Sequence, residues 1–397
     1  MVGQSDVSAA ARDAAQAVDA DEVLELARRL IRSPSENPGG TEEGPATIVT
    51  EILDGLGAHP ETVRSEAERP SVLGTMGRGE RCLVFNGHLD VVPAGDPHDW
   101  PHPPFDAVVT DGVLWGRGSA DMKGPIAAAL GAAAAIHRAE IELDGRIGMH
   151  LVADEEYLGV HGTAMLLERG LLRADACIVG EPSELQLGLA QRGGAWIRAA
   201  AHGKLAHGST PNLGVNAIEA MSRFVLALPD ALPDLHHPLV GAPSVNVSTI
   251  EGGRSFNVVP DRCEVDVDRR AIPGETLDDV VAGIDRVLER LSNLHAGFDV
   301  SIDVRDWCEP AETTPGTPVV AALRSAVADV RGVDPEDTGF TGITDARFYS
   351  NDARIPTVLF GPGSLRVAHT SSESVDVVDL VTGARVYAQA FVRFLGL

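Results

Sequence analysis

The sequence predicts an α/β protein whose first domain, built on a mostly parallel central sheet, is interrupted by an inserted second domain. Three observations lead there. Between residues 21 and 182, amphipathic helical patterns alternate with short apolar runs, as in a βα-wound sheet. Near Gln191 the order changes to strand, helix, strand, strand, helix, strand. From about residue 305 the first pattern resumes. The expected domains are 1–192 with 306–397, and 193–305 as the insertion.

Each element has its own signal. Val23, Leu24, Ala27, Leu30 and Ile31 recur at helical spacing before Pro34, and Ile48, Ile52 and Leu53 mark a second helix over 44–55. Residues 72–75 and 82–85 read as strands, the latter fully apolar and followed by the turn signal Asn86-Gly87. The stretch 91–113, rich in Pro, Asp and His, reads as a long loop, and loops of that length tend to be functional. An Ala-rich helix opens at Gly124-Pro125, with proline suited to a first turn. Strands at 147–152 and 176–179 flank a helix near 162–169. The insertion shows strands at 194–202, 244–250, 262–268 and 298–304, with helices at 214–228 and 276–294. That βαββαβ order is the ferredoxin-like split unit. A helix at 318–331, a strand at 357–360 and a helix at 379–395 complete the first domain. The first twenty residues read as a frayed or weakly helical leader.

Composition narrows the function. The 397 residues are 44% hydrophobic, which suits a globular protein with a large core. Net charge is -26, from 58 acidic and 32 basic residues spread along the chain, which argues against a nucleic-acid or anionic-membrane surface. Cys82, Cys177, Cys263 and Cys308 lie far apart without C-x-x-C spacing, so a reducing cytoplasm is expected. No run of about 18 apolar residues offers a membrane span.

The chemistry gathers at strand ends. His88 and Asp90, two apart, share a face, and an imidazole beside a carboxylate is how a metal-ligating histidine is held in one orientation. Asp121 in GRGSADMKG, Glu155 and Glu156 after one strand, Glu181 after another, and His369 in AHTSSESV make a similar set. Carboxyl ends of strands are where open α/β sheets bind ligands. Two imidazoles and several carboxylates suit Zn²⁺, Co²⁺ or Mn²⁺. A pair of ions about 3.5–4 Å apart needs a bridging carboxylate, and this inventory leaves one carboxylate over as a general base. Alone, each has a bland reading: a capped surface histidine, a solvated Glu-Glu, a loop histidine. His98 and His102 read as solvent-facing, Asp154 as a strand end and Lys123 as a helix start. H-E-x-x-H, G-x-S-x-G and P-loop motifs are absent.

The strings GHLDVVP, LWGRGSADMKG, ADEE, GEP, GKLAHGSTPNLGVNAI, NVVPDRCEVDVDRRAIPG and GPGSLRVAHTSSE together resemble the acetylornithine deacetylase / succinyl-diaminopimelate desuccinylase family of dinuclear amidohydrolases, in order from about residue 22 to 392. The resemblance implies a catalytic domain interrupted by a lid that also forms a homodimer. It implies His88 and Glu181 on one ion, Glu156 and His369 on the other, and Asp121 between them before a cis peptide bond. Asp90 would orient His88, and Glu155 would take a proton from a metal-bridging water and pass it to the leaving amine. His207 would stabilise the oxyanion in the partner subunit's active site. Asn257, Arg270 and Arg192 would grip a substrate carboxylate, and Gly361 and Gly363 would line the pocket. Arg270 has the alternative of pairing with Asp266 or Asp268. The expected function is hydrolysis of an N-acyl amino acid amide with two divalent ions, Zn²⁺ first. The alternatives are a dipeptidase or carboxypeptidase, and a non-catalytic binding protein on the same fold.

Overall fold

The computed structural model describes residues 4–397 and divides into two compact units. One comprises the chain up to Leu189, Thr313–Thr338 and Thr344–Leu397; the other comprises Ala190–Glu312 and Gly339–Ile343.

The first unit is α/β, and its sheet is mixed rather than mostly parallel. Leu83–Asn86 runs parallel to Ala176–Val179, and Thr357–Leu359 runs parallel to that strand's other edge. Antiparallel pairs enclose this centre: Glu61–Arg64 on Pro70–His88, and Leu359 opposite Gly188. The expected strands at 72–75 and 82–85 are one element, Pro70–His88. It folds along Asp144–Val152, its register descending from Val72 opposite Leu151 to Gly77 opposite Arg146, then rising from Leu83 opposite Ile147 to His88 opposite Val152. Asn86-Gly87 is therefore strand, not turn. Both sides of it are held by ladders, and tertiary pairing outweighs the local turn preference.

Helices cover the sheet. The closing helix Val377–Leu395 packs against Gln4–Gln16, Lys123–Arg138 and Pro318–Arg331. Its Tyr387 sits edge-on to Phe85 and Phe360, with centroids 5.3 and 5.5 Å away, and its hydroxyl donates to the Phe360 carbonyl at 2.5 Å. Of the two expectations for the leader, the helical one holds for the described residues. Gln4–Gln16 is helical and buries Ala11, Ala14 and Ala15, although residues 1–3 lie outside the described part. An Ala-rich stripe is too weak in hydropathy to read as a core face, but its small side chains fit close helix packing. The long loop 91–113 also holds structure, a strand Val108–Thr110 that pairs with Val113–Trp115.

The second unit runs Gly193–His202, Ala217–Ala227, Ser244–Gly252, Arg262–Ala271, Leu277–Leu294 and Val300–Cys308, in the order strand, helix, strand, strand, helix, strand. Its four-stranded sheet is antiparallel, with Gly193–His202 between Arg262–Ala271 and Val300–Cys308 and Ser244–Gly252 at one edge. Alternate residues Ala195, Ile197, Ala199, Cys263, Val265 and Val267 turn inward onto Met221, Phe224, Ile284 and Val287 of the two helices. Asn216 caps the first helix and Thr276 with Asp279 forms a capping box on the second.

Among the described residues no helix is long and apolar enough to cross a membrane, and all four cysteines are buried and free.

Candidate metal centre

The first unit places its chemistry at strand ends. His88 is the last residue of its strand, Glu155 and Glu156 form a 3-10 turn after Asp144–Val152, and Glu181 follows Ala176–Val179. Asp121 precedes the helix Lys123–Arg138, and its bond to Met122 is cis. His369 reaches the same point from the loop after Thr357–Leu359.

Asp121 stands between the two histidines. One carboxylate oxygen is 3.0 Å from His88 Nε2 and the other 3.3 Å from His369 Nε2. His369 Nε2 is also 3.0 Å from Glu156 Oε2. Donor atoms of His88, Asp121 and Glu156 lie within 4.8 Å of one another, and so do those of His88, Glu155 and Glu181. Two overlapping sets of nitrogen and oxygen donors suit borderline or hard divalent cations.

The electrostatics agree with that fit. Burial pushes Glu155 and Glu181 well above the usual carboxylate range, aided by neighbouring carboxylates and opposed by His88. Burial also raises Glu156, with the charge of Asp121 adding to it. Burial would lower His88, but the hydrogen bond to Asp121 and the charge of Glu155 drive it well above its ordinary value. Hydrogen bonds to Asp121 and Glu156 raise His369 to about 10. Burial acts to raise Asp121, yet hydrogen bonds from His369 and His88 hold it low. Of the four carboxylates crowded around two imidazoles, Glu155, Glu156 and Glu181 retain protons where a cation would replace them, while Asp121 keeps its charge.

Asp90 acts differently from the expected side-chain orienter. His88 Nδ1 donates to the backbone carbonyl of Asp90 at 2.9 Å, while the nearer carboxylate oxygen is 3.7 Å away. The carboxylate instead accepts the backbone N–H of Glu155 and of Glu156, each at 3.2 Å, and fixes that turn. Behind it lies a network that the sequence did not reveal. Asn37 Nδ2 donates to Asp90 at 2.8 Å and to Asp154 at 3.0 Å. Arg69 forks onto the fully buried Glu42 and reaches Asn37 and Asp154, both at 3.2 Å. Asp154 does more than end its strand: it is left-handed, φ 66°, and accepts the His161 N–H. Arg347 closes the other side of the turn, donating to the Leu158 carbonyl at 2.7 Å. These partners are spread between positions 37 and 347, so no local motif exposes them. Lys123 starts its helix as expected, but it is fully buried and donates to the Ser33 carbonyl at 2.7 Å.

Gly361 and Gly363 adjoin the centre through backbone. A Cβ on Gly361 would lie 2.5 Å from the Gly180 carbonyl, and Gly363, φ +92°, would push one to 2.9 Å from Ala120 Cβ. Glycine lets this loop lie against the segments that carry Glu181 and Asp121. His98 is exposed and bonded to Asp96, and His102 sits edge-on to Trp115.

The remaining expected residues belong to the second unit. His207 is exposed, and its Nδ1 accepts the Ser209 N–H at 3.1 Å. Asn257 is exposed, with its carbonyl accepting from Gly208 at 2.7 Å. Arg192 donates to the carbonyls of Val240 and Ala242. Arg270 pairs with Asp268 at 2.8 Å and lies over the Trp196 ring at 5.7 Å.

Comparison with known proteins shows the family. The profile of Peptidase family M20/M25/M40 matches residues 84–393. A succinyl-diaminopimelate desuccinylase of Paracoccus denitrificans (strain Pd 1222) is 32% identical over 93% of this chain and 97% of its own. An N-formyl-4-amino-5-aminomethyl-2-methylpyrimidine deformylase of Bacillus subtilis (strain 168) is 30% identical over 92% and 93%. The fold matches an M20 family metallo-carboxypeptidase of Sulfolobus solfataricus with a TM-score of 0.79 at 20% identity, covering 94% of this chain and 99% of that one. The chain thus belongs to peptidase family M20/M25/M40 and is a hydrolase acting on amide bonds.

Proposed function

We propose that this protein removes the acyl group from an N-acylated amino acid or a close amine relative, using two divalent cations, Zn²⁺ foremost and Co²⁺ or Mn²⁺ as substitutes. The observation that carries this reading is Asp121, whose two oxygens face two separate imidazoles at 3.0 and 3.3 Å. His88 and Glu181 would hold one ion, and Glu156 and His369 the other, with Asp121 shared. When bound, such ions supply Lewis-acid polarisation of a carbonyl and a lowered pKa for water.

The chain's own groups do the rest. Glu155, within the set it forms with His88 and Glu181 and raised in pKa, takes the proton of the attacking water and returns it to the leaving nitrogen. Asp90 keeps Glu155 and Glu156 in place through their backbone N–H groups and His88 through its own carbonyl. The relatives' names, a desuccinylase and a deformylase, both describe removal of an acyl group from nitrogen.

The unit 190–312 is assigned here as an inserted lid that also mediates a homodimer. His207 suits an oxyanion donor in the partner subunit's site: with Nδ1 accepting from Ser209, the neutral ring carries its proton on Nε2. Asn257, Arg270 and Arg192 remain the candidates for a substrate carboxylate. Arg270 would exchange Asp268 for the substrate, while Arg192 would act from a segment it already braces. Gly361 and Gly363 shape the pocket wall. The four buried thiols suit a reducing compartment, and that supports a cytoplasmic location.

The test is a panel of N-acetyl, N-succinyl and N-formyl amino acids and dipeptides, assayed after chelation and after return of Zn²⁺, Co²⁺ or Mn²⁺. Hydrolysis lost on chelation, restored by metal and fastest on N-acyl substrates supports the reading. Chelator-insensitive turnover, or a preference for dipeptides, contradicts it.

A further inference from the structure

Glu373 lies four residues beyond His369 and is fully buried. Its Oε1 accepts three backbone N–H groups, those of Gly118 at 3.0 Å, Ala120 at 3.1 Å and Asp121 at 3.0 Å. Its Oε2 pairs with Arg117 at 2.5 Å, and its carbonyl accepts the Gly116 N–H at 3.1 Å. The next residues, Ser374–Asp376, pair antiparallel with Val113–Trp115. One carboxylate therefore ties the segment that carries His369 to the loop that carries Asp121.

We propose that Glu373 is a positioning residue for the metal pair, setting where Asp121 stands relative to His369. A carboxylate is costly to bury, and a well-packed apolar pair often serves stability as well or better. Three converging N–H groups form an anion cradle that an apolar side chain cannot satisfy. What the arrangement gains is placement: the Asp121 N–H is held directly, and Asp121 Oδ2 stands 3.3 Å from His369 Nε2. Metal–ligand distances fall within about 0.2 Å of their usual values, and loss of a group that orients a ligand typically weakens metal binding about 10–100-fold.

This inference rests on the reading that the cluster holds divalent ions, and a binding experiment separates the two. Zn²⁺ affinity of the metal-free protein is measured by competition with a chromogenic chelator, with the melting temperature of each metal-free variant alongside. Glu373→Ala should weaken Zn²⁺ binding about 10–100-fold. Glu373→Gln, which keeps an acceptor oxygen in place, should lose less. Arg117→Lys disturbs the same buried pair without touching the cradle, so it should lower the melting temperature and leave affinity within about twofold. If Glu373→Ala fails to fold, the comparison of Glu373→Gln with Arg117→Lys decides, and the Gln variant must bind more weakly. Equal Zn²⁺ affinity in wild type and the Glu373 variants, with only the melting temperature lowered, would overturn the positioning role alone. A wild-type protein that binds no Zn²⁺ would remove the metal reading and this role together.

Discussion

The buried centre of the first unit and the outward sheet face of the second use the same residue types to opposite ends. On the second unit's sheet, Arg198 grips its cross-strand partner Asp266 at 2.8 and 3.0 Å, and Arg305 pairs with Asp303 at 3.0 Å. These side chains stand in water, where an ion pair gains little over two solvated charges. In the first unit, Arg69 serves Glu42, Asp154 and, through Asn37, Asp90, and these three carboxylates are nearly or fully buried. There a charge left without its partner has no water to turn to. The difference teaches where charge does positional work: buried pairs hold the Glu155–Glu156 turn, while exposed pairs decorate a sheet whose apolar face already holds it together.

Four experiments break or sharpen this contrast. The largest effect belongs to Glu155→Gln, which removes the proton carrier and leaves the ligands. Turnover should fall about 10²–10⁴-fold, while Zn²⁺ stoichiometry and melting temperature stay near wild type. Retained turnover would move the base elsewhere. Next is Arg69→Met, which strands Glu42 and Asp154 in the interior. Denaturant unfolding should show a loss of about 3–5 kcal/mol, and a loss below about 1 kcal/mol would place those carboxylates in effective contact with water.

The third concerns His150, buried with the Tyr349 hydroxyl at 2.9 Å from Nδ1 and held by burial down to about 4. The folded ring stays neutral while the unfolded ring takes a proton near its ordinary 6.5, so stability drains as pH falls from 6.5 toward 4. Relative to His150→Gln, wild type should lose of the order of 3 kcal/mol across that window. Parallel pH curves for the two proteins would contradict it. The smallest effect is expected on the outward sheet. A double-mutant cycle on Arg198 and Asp266 should show no coupling beyond measurement error, and a clear coupling would erase the contrast.

The legible part of this molecule is the part whose chemistry sits in contiguous strings. His88, Asp121, Glu155, Glu156 and Glu181 each stand beside a strand end or helix start and His369 in a loop, and the structure gathers the six in one place. The helices Ala20–Ile31 and Leu277–Leu294 followed from periodicity because each has one apolar stripe. What stayed hidden depended on long-range pairing. Asn86-Gly87 reads as a turn until ladders on both sides hold it in a strand. Arg69, Asn37 and Glu42 carry no local signal in the sequence, since burial of a charge is decided by partners far away in the chain. Asp90 has the expected neighbour but meets it through a different atom: its carbonyl meets His88 and its carboxylate meets the turn. Glu373 lies within AHTSSESV, but nothing local shows that three N–H groups converge on it.

The most direct test of the central claim is a Zn²⁺ titration of the metal-free wild type beside Asp121→Ala. Two ions per chain are expected in the wild type, and in the variant a weakening of both together, because one carboxylate serves each. One ion or none in the wild type, or two ions bound as tightly without Asp121, would contradict it.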